Sequence, residues 1–183
     1  VEILEHYKED VKTAVRAKKP AEKAACGGTD PEKDVLEGLN ICIINNSNVI
    51  GKPLSLMLTN RFASVSMIHH LTPEEKKRTY TKNADVVIAA VPVKNAVTEE
   101  MIEEGTVVID ASVIREKVFD EACQPVINEK TGKQKVRTVG CLTDGAKRKA
   151  SFLTPVPGVG AVTSACLARN VILACRRLSG LET

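Results

Sequence analysis

A chain of 183 residues, 43% of them hydrophobic, is long enough for one domain with its own core. Aromatic residues make up 3% and Trp is absent, so that core is aliphatic; this suits a parallel sheet under helices and argues against aromatic stacking on nucleic acid. The net charge of +3 is mild, and the one basic cluster, Lys147-Arg148-Lys149, reads as a solvated helix face, so neither nucleic acid nor a membrane is expected as a partner.

In chain order, Leu4, Tyr7, Val11 and Val15 recur at spacings of three and four and predict an amphipathic leading helix over residues 1–18. Residues 19–38 hold two Pro, a Gly pair and many charges and read as a linker or loop. Residues 41–44, Ile-Cys-Ile-Ile, predict a strand buried on both faces. The polar run 45–48 ends it, and Gly51 and Pro53 lead into a helix from Leu54 to about Arg61. Residues 63–68 form a second predicted strand, with His69 and His70 at its carboxyl end. Thr72 and Pro73 start a short helix, and residues 85–90 give a third strand closed by Val91-Pro92. A brief helix at 98–102 stops at Gly105, and a fourth strand over 106–109 ends at Asp110.

Repeated strand–helix units with short links predict an α/β fold, a Rossmann-like doubly wound parallel sheet with helices on both faces. Residues 116–137 are charged and predict an exposed insertion. Residues 154–160 form a Pro/Gly loop, and residues 161–180 a last helix with Arg169, Arg176 and Arg177 outside. The nucleotide-binding core would thus span 39–160, within a single domain over 1–183.

The six Cys show no CxxC spacing; Cys42, Cys166 and Cys175 sit inside apolar runs and act as small hydrophobes. A reducing intracellular compartment, cytoplasmic or mitochondrial, is expected, with no disulfide framework and no structural metal. No apolar run is judged long enough to span a bilayer and no signal peptide is visible. A start at Val1 rather than Met is expected to mark a fragment or a processed product.

Ligands of such sheets bind beyond the carboxyl ends of the strands, here residues 45–47, 69–70, 91–92 and 110–113. Strand, tight polar loop and helix over residues 41–54 form the geometry that aims backbone N–H groups at a phosphate; a plain βα corner is the alternative. Ser47 would donate to a phosphate or cap the turn. Asn45 and Asn46 would bond a ribose or simply suit the turn. Gly51 permits close helix–strand packing. Asp110 orients its loop, binds ribose, or caps the next turn. Cys141 has no recognisable base beside it and is not expected to be a nucleophile.

Two segments go beyond a generic reading. Asn46-Ser47-Asn48-Val49-Ile50-Gly51-Lys52-Pro53 and Thr154-Pro155-Val156-Pro157-Gly158-Val159-Gly160-Ala161-Val162-Thr163 resemble, respectively, the Gly-Arg-Ser-x-x-Val-Gly-x-Pro and Thr-Pro-Val-Pro-Gly-Gly-Val-Gly-Pro-Met-Thr motifs of methylenetetrahydrofolate dehydrogenase/cyclohydrolases. By that resemblance the chain is the family's C-terminal NAD(P)-binding domain. A preceding domain, not in this chain, would supply the catalytic lysine and tyrosine, so no catalytic residue is expected here. The resemblance implies cofactor contacts from Asn45, Asn46, Ser47, Val49, Gly51, His70, Val91, Pro92, Val113 and Thr163, and substrate-side contacts from Pro157, Gly158, Val159 and Gly160, with loop stiffening as the alternative for Pro157, Gly158 and Thr163. It further implies a tetrahydrofolate derivative as substrate and a homodimer or larger assembly.

The departures from the motif bear on the cofactor. The family's Gly-Arg-Ser is Asn45-Asn46-Ser47, and an amide does not replace an arginine fork on the 2′-phosphate of NADP. His70 replaces a serine; neutral, it favours an unphosphorylated ribose, and protonated, it can still hold a phosphate. Either the site has switched to NAD or it is decaying, and NAD is slightly favoured over NADP. Two readings stay open. One is hydride transfer from 5,10-methylenetetrahydrofolate to NAD(P)⁺, with or without hydrolysis of the methenyl product. The other is a non-catalytic nucleotide-binding or assembly module.

Overall fold

The computed structural model describes residues 1–18, 35–129, 131–154, 156 and 158–181. Its centre is a five-stranded sheet in the order β2-β1-β3-β4-β7, all neighbours parallel, from β1 (Asn40–Ile44), β2 (Ser64–Ile68), β3 (Val86–Ala89), β4 (Val107–Asp110) and β7 (Phe152–Leu153). The expected α/β Rossmann-like sheet is what forms. The order reverses between β1 and β3, so the switch point at which such sheets hold ligands lies at the ends of these two strands.

Strand alternation divides the core into two. Ile41, Ile43, Val86, Ile88, Val107 and Ile109 point to one face, where they pack with Leu4, Val11, Ala14 and Leu58 from α1 (Glu2–His6), α2 (Lys8–Lys18) and α3 (Gly51–Thr59). Cys42, Ile44, Val87, Ala89 and Val108 point to the other, against Met101 of a 3₁₀ turn (Glu99–Met101) and Ala146 of α5 (Asp144–Lys149). α4 (Glu74–Lys82) runs beside the edge strand β2, where Ser alternates with apolar residues and, apart from buried Ile68, the side chains are exposed or half-buried. At the amino ends of the strands Lys18 closes α2: its ammonium donates to the Lys82 carbonyl at 3.1 Å, to the Ala84 carbonyl, and to Thr106 Oγ1 at 2.8 Å.

Several elements differ from the sequence expectation, each for a local reason. The leading helix is two helices, because Tyr7 leaves helical geometry (φ −97°, ψ 31°) with its ring 4.8 Å from that of Phe152. Of the expected linker, residues 19–34 lie outside the described residues; residues 35–38 turn into β1, with Leu36 wholly buried in the core. α3 begins at Gly51, with Pro53 inside its first turn. Pro73 occupies the N-cap position of α4, while Thr72 Oγ1 accepts from the His69 N–H at 3.1 Å. The charged insertion carries a two-stranded antiparallel ribbon, β5 (Ile114–Lys117) with β6 (Val136–Val139), on which Glu116 accepts from Lys94 and from Arg137.

The last helix, α6 (Val159–Leu178), starts two residues earlier than expected and has no buried residue. Cys175 is exposed on it rather than acting as a core hydrophobe. By length and composition α6 also qualifies to cross a bilayer, which corrects the expectation that no segment would. Arg169 at its middle is ion-paired to Glu2 at 2.7 Å, a contact made with the folded domain.

Candidate cofactor site at the carboxyl edge

The turn after β1 is built around one side chain. Asn45 Nδ2 donates to the Ala90 carbonyl at 2.6 Å, joining the ends of β1 and β3 at the switch point. Its Oδ1 accepts from the Ser47 N–H at 2.7 Å and the Gly51 N–H at 3.2 Å. Glycine is required at 51, because a Cβ there would overlap the Asn45 carbonyl oxygen. The Ile50 N–H donates to Ser47 Oγ at 3.0 Å, the Lys52 N–H to the Ser47 carbonyl at 3.0 Å, and Pro53 has no N–H. Lys52 Nζ donates to Asn48 Oδ1 at 2.7 Å. Asn46 and Val49 are exposed and Ser47 is half-buried. Ser47 thus caps the turn, and its hydroxyl hydrogen stays available to a ligand.

A second clasp holds the β3 and β4 ends. Asp110 is 3% exposed, and its Oδ1 accepts from the Ser112 N–H at 2.9 Å while its Oδ2 accepts from the Cys141 N–H at 3.0 Å. The Ser112 hydroxyl accepts from the Val91 N–H at 3.2 Å, and the Asp110 N–H donates to Thr154 Oγ1 at 3.0 Å. Gly140 leaves room for the carboxylate, since a Cβ there would overlap Asp110 Oδ2. Asp110 is a clasp among loops. Burial pushes the Cys141 thiol up to about 12, and that of Cys42 likewise, so neither supplies a thiolate near neutrality.

The structure therefore brings Asn45, Ser47, Gly51 and Val91 into one hydrogen-bonded edge, with Pro92 and Val113 exposed beside it. Because Ile44 pairs with Ile68, exposed Asn46 and exposed His70 each stand two residues past a paired strand position. A cleft of about 400 Å³ reaches this end of β2, lined by His69, Leu71, Thr72, Lys76 and Tyr80 among others. Thr163 lies in the first turns of α6, its hydroxyl donating to the Val159 carbonyl at 2.9 Å. No hydrogen bond among the described residues links it to the 45–51 turn. Gly158 precedes α6, Val159 packs on the core, and Gly160 faces open space; Pro157 lies outside the described residues.

Sequence reasoning did not single out Ser112 or Thr154, nor the internal role of Asn45. The Asp-x-Ser spacing at 110–112 signals an Asx turn, but the partners at Cys141 and Thr154 are remote in sequence. A pyridine dinucleotide fits this edge. It is the switch point of a parallel sheet, with a serine hydroxyl, exposed amide and imidazole groups, and a glycine that keeps backbone close to backbone.

The comparisons with known proteins agree with that geometry. The model of the tetrahydrofolate dehydrogenase/cyclohydrolase NAD(P)-binding domain matches residues 29–179. The bifunctional protein FolD of Methanosarcina acetivorans is 38% identical over 143 residues, covering 78% of this chain and 43% of that protein. The mitochondrial bifunctional methylenetetrahydrofolate dehydrogenase/cyclohydrolase of Gallus gallus is 35% identical over 151 residues, covering 77% and 41%. The crystal structure of the Trypanosoma brucei methylenetetrahydrofolate dehydrogenase-cyclohydrolase, complexed with NADP and inhibitor, superposes with a TM-score of 0.63 at 26% identity, over 93% of this chain and 51% of that one. The chain spans less than half the length of the curated relatives it matches. From residue 29 to residue 179, and in the strand order that frames the carboxyl edge, this chain belongs to the tetrahydrofolate dehydrogenase/cyclohydrolase family, of whose NAD(P)-binding domain it is a member.

Proposed function

We propose that the chain holds NAD(P) along the carboxyl edge of its sheet and prefers NAD over NADP. The observation that carries the preference is that Asn46 and His70 are both exposed, each two residues past the last paired position of adjacent strands, and neither is the arginine fork that a 2′-phosphate needs. Asn46 supplies a neutral donor and acceptor suited to ribose hydroxyls. Ser47 offers its hydroxyl to a phosphate. The Val91–Pro92 and Val113 loops line the edge, fixed by the Asp110 clasp.

The wider function is that of the NAD(P)-binding domain in a 5,10-methylenetetrahydrofolate dehydrogenase of one-carbon metabolism. The bound nicotinamide supplies a hydride acceptor. The chain's part is to hold and orient, with Gly158 at the start of α6 and Val159 and Gly160 in its first turn facing a tetrahydrofolate derivative. A homodimer and a reducing intracellular compartment belong to the same reading. So does methenyltetrahydrofolate hydrolysis, which the word cyclohydrolase in the name of the Gallus gallus relative supports. In this reading the acid–base chemistry of either reaction falls to the lysine-bearing catalytic domain that the family resemblance implies.

Calorimetric titration of the purified chain with NAD⁺ and NADP⁺ tests the reading. Binding of both, with NAD⁺ the tighter, is expected; a clear NADP⁺ preference would refute the assignment of Asn46 and His70. Hydride transfer, followed by NADH absorbance after adding the lysine-bearing domain of a relative and 5,10-methylenetetrahydrofolate, separates an enzyme module from a binding module without chemistry.

A further inference from the structure

We propose that Asn45 holds the cofactor turn shut from within: its side-chain oxygen occupies the acceptor position that an anionic oxygen of the dinucleotide takes, so this residue sets how weakly the chain binds its cofactor. The proposal rests on the carboxyl edge being the dinucleotide site. A tight turn between strand and helix binds anions through backbone N–H groups that lack an internal partner. Here four of those groups, at residues 47, 50, 51 and 52, are taken. Ser47 and Gly51 both donate to Asn45 Oδ1, Ile50 to Ser47 Oγ, and Lys52 to the Ser47 carbonyl.

Asn45 is not present for its backbone, because it is not among the residues with positive φ. Its side chain is what matters, and the Nδ2–Ala90 bond at 2.6 Å fixes that side chain over the switch point. The family motif has glycine at this position, which carries no group able to fill it. Phosphate oxygens accept more strongly than a neutral amide, so a dinucleotide can displace the carboxamide. It binds more weakly by the hydrogen bonds it must break.

The test is calorimetric titration of the full chain and its N45G and N45A variants with NAD⁺. Emptying the acceptor position is expected to lower Kd by about tenfold in both, the effect of roughly one net hydrogen bond, even though loss of the Ala90 tie lowers the melting temperature. Wild-type binding with equal or weaker binding by both variants overturns the proposal and leaves the cofactor reading standing. Failure of the wild type and both variants to bind NAD⁺ or NADP⁺ overturns the two together. A further measurement needs no variant: in the wild-type chain saturated with NAD⁺, the Ser47 and Gly51 amide resonances are expected to shift as their acceptor changes from carboxamide to anion. Unchanged resonances with NAD⁺ bound overturn the proposal.

Discussion

Gly140 and Gly160 show how differently one residue type is held. A Cβ at Gly140 would overlap the Asp110 carboxylate and lie 3.1 Å from Val156 Cγ2, and the carboxylate cannot retreat because two backbone N–H groups grip it in a buried position. Gly160 lies in the first turn of α6 with open space where its Cβ would be. Gly140→Ala is therefore expected to destabilise by roughly 1–3 kcal/mol, the range for forcing atoms into packed space. Gly160→Ala is expected to be neutral or stabilising by up to about 1 kcal/mol, the helix preference of Ala over Gly. Urea unfolding of the two variants checks both; a neutral Gly140→Ala would mean that the Asp110 clasp is loose in solution. At this scale the sequence is only partly legible. An Asp two residues before a Ser announces its own Asx turn, and Asp110 makes it. The Asn45–Ala90 bond spans 45 residues and has no local signature, so Asn45 reads as a ligand contact when its amide is bonded within the protein.

Among elements, β1 was the most legible, since four consecutive apolar residues at 41–44 can only be satisfied by burial on both faces, and the two core clusters divide them evenly. The β5–β6 ribbon was hidden because its strands face solvent and are held by ladder bonds and by Glu116 between Lys94 and Arg137, which leave no hydrophobic period to read. The start of α3 was misplaced because Gly51 and Lys52 find partners in the turn behind them, an arrangement that depends on Asn45 and Ser47. That helix joins the site to the core through one buried side chain. Leu58 is wholly buried against the sheet, whereas Leu56 is 67% exposed on the same helix. Leu58→Ala is expected to lose about 2–5 kcal/mol, the transfer term plus the cavity; Leu56→Ala should stay within about 0.5 kcal/mol. Matched denaturation curves decide. Similar losses at both positions would mean that α3 is covered on its outer face.

The whole molecule raises a different balance, between an apolar helix and what lies against it. α6 has 20 residues, about 30 Å at 1.5 Å per residue, and none is buried. Its apolar period is genuine, as the spacing predicts, but periodicity states only that one face seeks cover, not that the described residues supply it. Leu167, Val171, Ile172 and Leu178 are all more than half exposed, a contiguous apolar surface of a kind that soluble domains keep small. Among the described residues the helix is held near its start by Val159 on the core and at its middle by the Arg169–Glu2 ion pair. Replacing Val171 and Ile172 by Glu removes apolar surface that is already in water, so the chain as it stands is expected to lose no more than about 0.5 kcal/mol per substitution. The same charges should reduce self-association in sedimentation velocity, because they replace the groups that associate. A loss above 2 kcal/mol in chemical unfolding at low protein concentration would contradict the exposure of α6. Burial of both side chains is the only source of so large a penalty at these positions, and it would put cover on this helix within a single chain.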